Sequence, residues 1–351
     1  MSACIKIENK IIGANKPVFI IAEAGVNHNG NFELAKKLID AAACAKADAV
    51  KFQTFDPKTL VTKHAKRAEY QDKNIGGEES QYNMLTRLKL KREYHAPLKK
   101  YAEEKGLIFL STPFSISDAN FLFKLGVPAF KVGSGDANNL PHLKNLALKN
   151  LPIILSTGMS TLEEVRESVN LIRQNGNKQI IVLHCTSNYP ASFKEVNLQA
   201  MLTLQKELGT LVGYSDHTVG IEVAVAAAAL GACVIEKHFT LDRAMPGPDH
   251  KASIKPDEFR KMVRAIHNVT QALGSYKKMP SASELEVAKV ARKSIVAARP
   301  IPAKTIIKKN DITIKRPGTG LAPKYFENII GKKTKRPLLA DELITWEALE
   351  L

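Results

Sequence analysis

Four charged residues stand inside otherwise apolar stretches of this sequence: Glu23 in VFIIAEAG (18–25), Lys51 in AVKFQTF (49–55), Lys131 in AFKVGSGD (129–136) and Glu236 in CVIEKHFT (233–240). A charge in an apolar strand is costly unless it is paired or meets a ligand. One such residue reads as a structural ion pair; four at equivalent depths point to a shared polar basin. Residues two apart share a face of an extended chain, so Lys51 with Gln53, Ser215 with His217, and Glu236 with His238 can point together. His217 and His238 occupy matching points of consecutive stretches. Side by side, they form half a site for a divalent ion, completed by water or substrate oxygen. That mixed donor set suits Mn²⁺, with Mg²⁺ or Co²⁺ as alternatives. Two satisfied core histidines are the competing reading, and His184, earlier in its stretch, reads as structural.

Lys51, Lys131, Ser134, Ser156 and Thr157, beside Gly133, Gly135 and Gly158, make a cradle for phosphate and carboxylate. The net charge of +16 steers anionic small substrates toward such a cradle. Lys and Arg are scattered without an aromatic-interleaved stripe, so nucleic acid is not expected as a partner. There is no Walker loop and no dinucleotide fingerprint. Cys4, Cys44, Cys185 and Cys233 lie far apart with no C-x-x-C pair, which predicts free thiols, mostly in the core. No uncharged apolar run reaches about 18 residues, and residues 1–13 carry Lys6, Glu8 and Lys10. The expectation is a soluble, cytoplasmic protein with no membrane partner.

The elements that must position these residues recur as βα units. Short β-rich runs at 18–25, 49–55, 107–114, 129–136, 152–159, 180–187, 211–218 and 233–240 alternate with stretches of helical period. Eight of them fit an α/β fold of the (β/α)8 TIM-barrel type. Phe32, Ala35, Leu38, Ile39 and Ala42 form one helical face after Asn31, and Leu162, Val165, Val169 and Ile172 another after Ser160. In such barrels the chemistry sits at the carboxyl ends of the strands, where all eight runs are polar. Residues 5–13 alternate as a hairpin able to plug the barrel floor, and polar residues 64–82 read as a loop over the site, a candidate lid. The predicted division is a catalytic barrel at 1–275, a linker at 276–287 and a small strand-bearing domain at 288–351.

Nine segments in order carry a resemblance: IIAEAGVNHNG (20–30), VKFQTF (50–55), STPF (111–114), FKVGSGD (130–136), ILSTGM (154–159), LHCTSNYP (183–190), GYSDHT (213–218), EKHFT with MPGPDH (236–250) and KRPGTGLAP (315–323). Through them the chain resembles the sialic acid synthase family, which includes N-acetylneuraminate, legionaminate and pseudaminate synthases. The resemblance implies a barrel joined to a C-terminal antifreeze-like (SAF, β-clip) domain and a domain-swapped homodimer. It implies metal-dependent condensation of phosphoenolpyruvate with N-acetylmannosamine, in the manner of an N-acetylneuraminate synthase, with release of phosphate. A 2,4-diacetamido-6-deoxy acceptor, as for legionaminate or pseudaminate, is the alternative.

The same resemblance places the metal on His217 and His238, and phosphoenolpyruvate on Lys51, Lys131, Ser134, Ser156, Ser187, Tyr189 and Ser215. The sugar would meet Gln53, Asp249 and the Arg316 of a second copy. Glu23 matches the acid/base position, Glu236 lies beside metal and phosphoenolpyruvate, and Thr112 is a further candidate for substrate contact. A Schiff-base pyruvate aldolase using Lys131 or Lys51 is the competing chemistry.

Overall fold

The computed structural model describes residues 4–77 and 79–350. The chain divides into two compact units, Met1–Gly274 and Ser275–Leu351. The first opens with an antiparallel hairpin, β1 (Cys4–Ile7) and β2 (Lys10–Gly13). Eight parallel strands follow: β3 (Phe19–Gly25), β4 (Ala49–Thr54), β5 (Ile108–Pro113), β6 (Phe130–Val132), β7 (Ile153–Ser156), β8 (Ile180–Cys185), β9 (Leu211–Asp216) and β10 (Val234–His238). They are hydrogen-bonded in the order β5, β4, β3, β10, β9, β8, β7, β6, and the two end strands lie against each other. This is the (β/α)8 barrel. The run at 129–136 is a strand over three residues only; at Gly133 the chain leaves the sheet and winds into a 3-10 turn, Ser134–Asp136.

Alternation along each strand decides which side chains meet. Phe19, Ile21, Ala49, Ile108, Leu110, Ile154, Ile181, Leu183, Leu211 and Val234 pack together inside the barrel with Ile5, Ile7 and Ile12 of the hairpin, forming an apolar floor. The residues between them, such as Ile20, Val50, Phe109, Val182 and Ile235, face outward onto the helices. Two steps beyond the floor residues, each strand presents its polar tip to the same interior. The helix Phe32–Cys44 buries Ala35, Leu38, Ile39 and Ala42, and Asn31 caps it by accepting from the Leu34 N–H at 3.0 Å. The helix Leu162–Gln174 begins one residue later than expected. Thr161 is its cap, because Glu164 reaches back to the Thr161 N–H at 2.7 Å and completes a capping box.

Residues 64–82 are not a plain loop. They hold the helix Glu69–Ile75 and the start of the helix Gln81–Leu88, the latter capped by Ser80. Val26, Phe55, Met84 and Leu88 form a small apolar cluster of their own, with Leu60, Ile75, Leu85 and Phe114 packed against it.

In the second unit, a helix, Ala282–Ala291, occupies part of the stretch expected as linker and buries none of its residues. Strands β11 (Ser294–Ala297) and β12 (Ile312–Lys315) pair antiparallel. Its core includes Ile295, Ile301, Ile312, Ile329, Leu338 and Ile344. Among the described residues no helix is long and apolar enough to cross a membrane.

Candidate active site at the barrel mouth

Register brings the charged tips together. Glu23 is the ladder partner of Lys51 on one side and of His238 on the other, Glu236 that of Ser215, and Gln53 that of Thr112. Lys51 Nζ stands 2.8 Å from Glu23 Oε2 and 3.7 Å from Glu236 Oε1, and donates to Thr112 Oγ1 at 3.1 Å. Lys131 Nζ stands 3.4 Å from Glu236 Oε1. Gln53 Nε2 donates to Glu23 Oε1 at 3.0 Å, and Ser215 Oγ to Glu236 Oε1 at 3.3 Å. All four charged residues are under 5% exposed.

Burial and pairing pull their proton affinities in different directions. Burial pushes the Glu23 carboxyl up, and the nearby Glu236 adds to that against the pull of Lys51. Burial acts the same way on Glu236, but Lys131 and Lys51 overcome it and hold it below its ordinary range. Burial lowers Lys131 on balance, whereas for Lys51 the two glutamates outweigh burial and raise it. One carboxyl inclined to keep its proton therefore sits beside one inclined to lose it, the pattern by which a site separates acid from base roles.

The next strand ends add an oxygen-rich corner. Ser134 Oγ accepts from the Gly158 N–H at 3.0 Å. A Cβ placed on Gly158 would stand 2.2 Å from Ser187 Oγ, 3.0 Å from Ser134 Oγ and 3.3 Å from Cys185 Sγ, so the absence of a side chain is what lets these groups converge. Ser156 Oγ and Glu236 Oε2 are buried without a hydrogen-bond partner, free for a ligand.

Above Lys51 and Lys131 lie the imidazoles. The ring centres of His217 and His238 are 5.3 Å apart. Two imidazoles sharing one ion at nitrogen–metal distances of about 2.1 Å hold their centres roughly 5 Å apart, so the pair fits a common ion. His217 donates from Nδ1 to the Thr186 carbonyl at 2.7 Å, which makes Nε2 the nitrogen open to an ion; burial lowers the proton affinity of the ring, but Cys185 and the Thr186 bond outweigh it and raise it, so an ion there competes with a proton. His238 Nδ1 is buried with no partner. Burial, then the charges of His217, Lys51 and Lys131, hold His238 well below the usual range, in the neutral form that ligates. Among the described residues no group of three or more His, Cys, Asp or Glu side chains is gathered as a metal cage, so the fit is that of a two-histidine site.

Tyr189 packs its ring 4.1 Å from His217 and edge-on to His238 at 5.5 Å, and Tyr70 of the helix Glu69–Ile75 stacks on Tyr189 at 5.0 Å. Asp249 is buried, and burial pushes it up to about 6, with Glu23 adding to the effect. A cavity of about 270 Å³ includes Gln53, Tyr189, His238 and Asp249 in its wall. Arg316 is exposed at the end of β12 in the second unit.

Three features lay beyond the sequence reading. The cysteines, read as mostly core residues, divide evenly: Cys4 and Cys44 are exposed, Cys185 and Cys233 buried, and Cys185 lies within the basin, Sγ 3.7 Å from His217 Nδ1; its place two residues after Leu183 on β8 is the available signal. Tyr70 arrives from an element read as a loop. Lys237 and Asp216 form a buried pair at 2.5 Å on the outer face, where Lys237 also donates to the Thr218 carbonyl. That pair is the structural salt bridge weighed as an alternative for the inward charges. His184 also faces outward and hydrogen-bonds the Val196 carbonyl at 2.7 Å, a structural role.

Residues 38–278 match the NeuB family, and residues 292–350 match the SAF domain. The chain is 46% identical over 342 residues to the N,N'-diacetyllegionaminic acid synthase of Legionella pneumophila, covering 96% of both chains. It is 36% identical to the human N-acetylneuraminate-9-phosphate synthase, covering 97% of this chain and 94% of that one. Among solved structures, the N-acetylneuraminic acid (sialic acid) synthetase of Leptospira borgpetersenii superposes with a TM-score of 0.72 at 36% identity, over 82% of this chain and 95% of that one. A barrel whose eight strand tips gather two lysines, two glutamates and two imidazoles, followed by an SAF unit, thus belongs to the NeuB, or sialic acid synthase, family.

Proposed function

We propose that this chain condenses phosphoenolpyruvate with an N-acetylated aldose, releasing phosphate, and that the aldose is a 2,4-diacetamido-6-deoxy sugar. The choice of sugar reverses the sequence expectation of N-acetylmannosamine. It rests on 46% identity to the Legionella diacetyllegionaminic acid synthase against 36% to the human neuraminate-9-phosphate synthase at similar coverage. The single observation that carries the chemistry is the pair of buried lysines, both within 4 Å of Glu236, beneath two imidazoles 5.3 Å apart. Such a basin suits a ligand with two anionic ends next to a polarised carbonyl.

In this reading Lys51 and Lys131 hold the carboxylate and phosphate, while Thr112, Ser134, Ser156, Ser187, Tyr189 and Ser215 supply hydrogen bonds. C3 of phosphoenolpyruvate forms a bond to the aldehyde carbon, and the aldehyde oxygen takes a proton from Glu23, the carboxyl pushed up by burial. Water adds at C2 and gives its proton to Glu236, held ionised by Lys131 and Lys51. The bond from C2 to the bridging phosphate oxygen breaks, its electron pair leaves with phosphate, the new C2 hydroxyl gives its proton to the departing phosphate, and C2 becomes the keto carbon. His217 and His238 would hold a divalent ion, Mn²⁺ by its donor set, which supplies Lewis-acid polarisation of the aldehyde oxygen. Gln53 and Asp249 meet the sugar, joined by Arg316 of a second copy in a domain-swapped homodimer.

The test is phosphate release from phosphoenolpyruvate with Mn²⁺ and either sugar, before and after chelation. Release that requires both metal and acceptor is expected. Borohydride trapping of a pyruvate adduct on Lys131, with no need for metal, would favour the aldolase reading instead.

A further inference from the structure

The cavity that opens beside His238 has two unlike walls. Polar lining comes from Gln53, Tyr189, His238 and Asp249 and, between β4 and β5, from Tyr70, Gln71 and Gln81; apolar lining comes from Phe55, Leu60, Val61, Leu85 and Phe114. Apart from Val61, these apolar residues belong to the small apolar cluster, whose Met84 and Leu88 reach the same cavity. Leu60, Val61, Leu85 and Phe114 are partly buried and line the cavity. Each of the two linings imposes a chemical demand. Hydroxyls and a carbonyl are satisfied by Gln53, Asp249 and His238; a hydroxyl or phosphate pressed against Leu60, Val61 and Leu85 loses its water and gains no partner from those side chains.

We infer that the apolar wall formed by Leu60, Val61 and Leu85 is the acceptor-selecting surface, and that it receives a methyl-bearing end of the sugar, a C-methyl or an acetamido methyl, in preference to a hydroxymethyl or phosphorylated end. The inference rests on the condensation reading above, since the aldehyde must lie at His238 for the opposite end of the aldose to reach the leucines. A pocket about 270 Å³ in volume accommodates a sugar but leaves little space for bulk water around it. Apolar pockets distinguish a methyl from a hydroxyl by about 10- to 100-fold, the discrimination expected here.

The test compares kcat/KM for 2,4-diacetamido-2,4,6-trideoxymannose, N-acetylmannosamine and N-acetylmannosamine 6-phosphate, with phosphoenolpyruvate and Mn²⁺ in the full-length protein. Wild type is expected to favour the trideoxy sugar over N-acetylmannosamine by about 10- to 100-fold, with the phosphate last. Leu60→Asn and Leu85→Asn are expected to shrink that ratio about tenfold, whereas Leu85→Met keeps it. A wild-type ratio near one, or a ratio unchanged in both folded Asn variants, would overturn the inference while leaving the condensation reading intact. If the Asn variants do not fold, Val61→Thr, which replaces one wall methyl by a hydroxyl of similar size, takes their place: a smaller ratio is expected, and an unchanged one would overturn the inference. No phosphate release with any of the three sugars would overturn both.

Discussion

At the scale of single residues, the two imidazoles and the buried aspartate behave differently, and each difference can be measured. His217→Ala and His238→Ala are each expected to lower turnover by at least about 10²-fold, the range for loss of a group that stabilises developing charge, and to abolish Mn²⁺ binding seen by calorimetry, with an unchanged circular dichroism spectrum. Wild-type Mn²⁺ affinity in both variants would remove the metal assignment. Asp249 makes a prediction about stability. Its folded value of about 6 lies above the ordinary 3.8, so the folded state holds the proton more tightly than the unfolded chain does. The associated stability is present below about pH 4 and is lost as pH rises through 6, a change of about 3 kcal/mol. Urea unfolding of metal-free protein should therefore show Asp249→Asn gaining on wild type between pH 4 and pH 7; a constant difference would contradict it. The inward charges were legible because the period of a strand is two, so Glu23, Lys51, Lys131 and Glu236 could be assigned one face without coordinates. The same rule holds for Cys185, but a small, weakly polar side chain in an apolar run carries no cost that would draw notice.

At the scale of elements, the runs read as strands are strands, and the hairpin read as a floor plug packs Ile5, Ile7 and Ile12 into the barrel interior. Ile12→Ala should then destabilise the fold by about 2–4 kcal/mol, the cost of a cavity among fully buried neighbours, read from denaturant midpoints. A change below about 0.5 kcal/mol, the scale of surface substitutions, would mean the hairpin is not part of the core. The segment between β4 and β5 was harder to read. Residues 64–82 are polar and hold two adjacent glycines, so composition favoured a loop; the short helices there depend on a few tertiary contacts. Tyr70 on Tyr189 is one, and Asn74 Nδ2 donating to the Pro248 carbonyl at 2.6 Å is another. Such long-range contacts leave no periodic trace in a sequence. Gly158 marks the opposite case, a position where local sequence and tertiary need agree. Gly158→Ala would force its new methyl against Ser187 and Ser134, and is expected to raise KM for phosphoenolpyruvate at least about tenfold with little effect on the acceptor, by displacing groups from their productive positions.

At the scale of the whole molecule, barrel and SAF unit were both readable from motif order, and the family match covers most of the chain. The acceptor was not. Discrimination among sugars resides in the wall built by Leu60, Val61 and Leu85, whose meeting depends on how the segment after β4 folds back. Subunit exchange is testable without a structure of the assembly. Arg316→Ala and Lys131→Ala, each nearly inactive alone, should recover partial activity when co-expressed, because a mixed dimer contains one site with both residues intact. No recovery would argue against a shared site. The most direct test of the central claim follows oxygen. With phosphoenolpyruvate labelled by ¹⁸O in the bridge between C2 and phosphorus, Mn²⁺ and the trideoxy acceptor, the label is expected wholly in released phosphate. Label retained in the keto acid, or phosphate released equally without acceptor, would contradict the account.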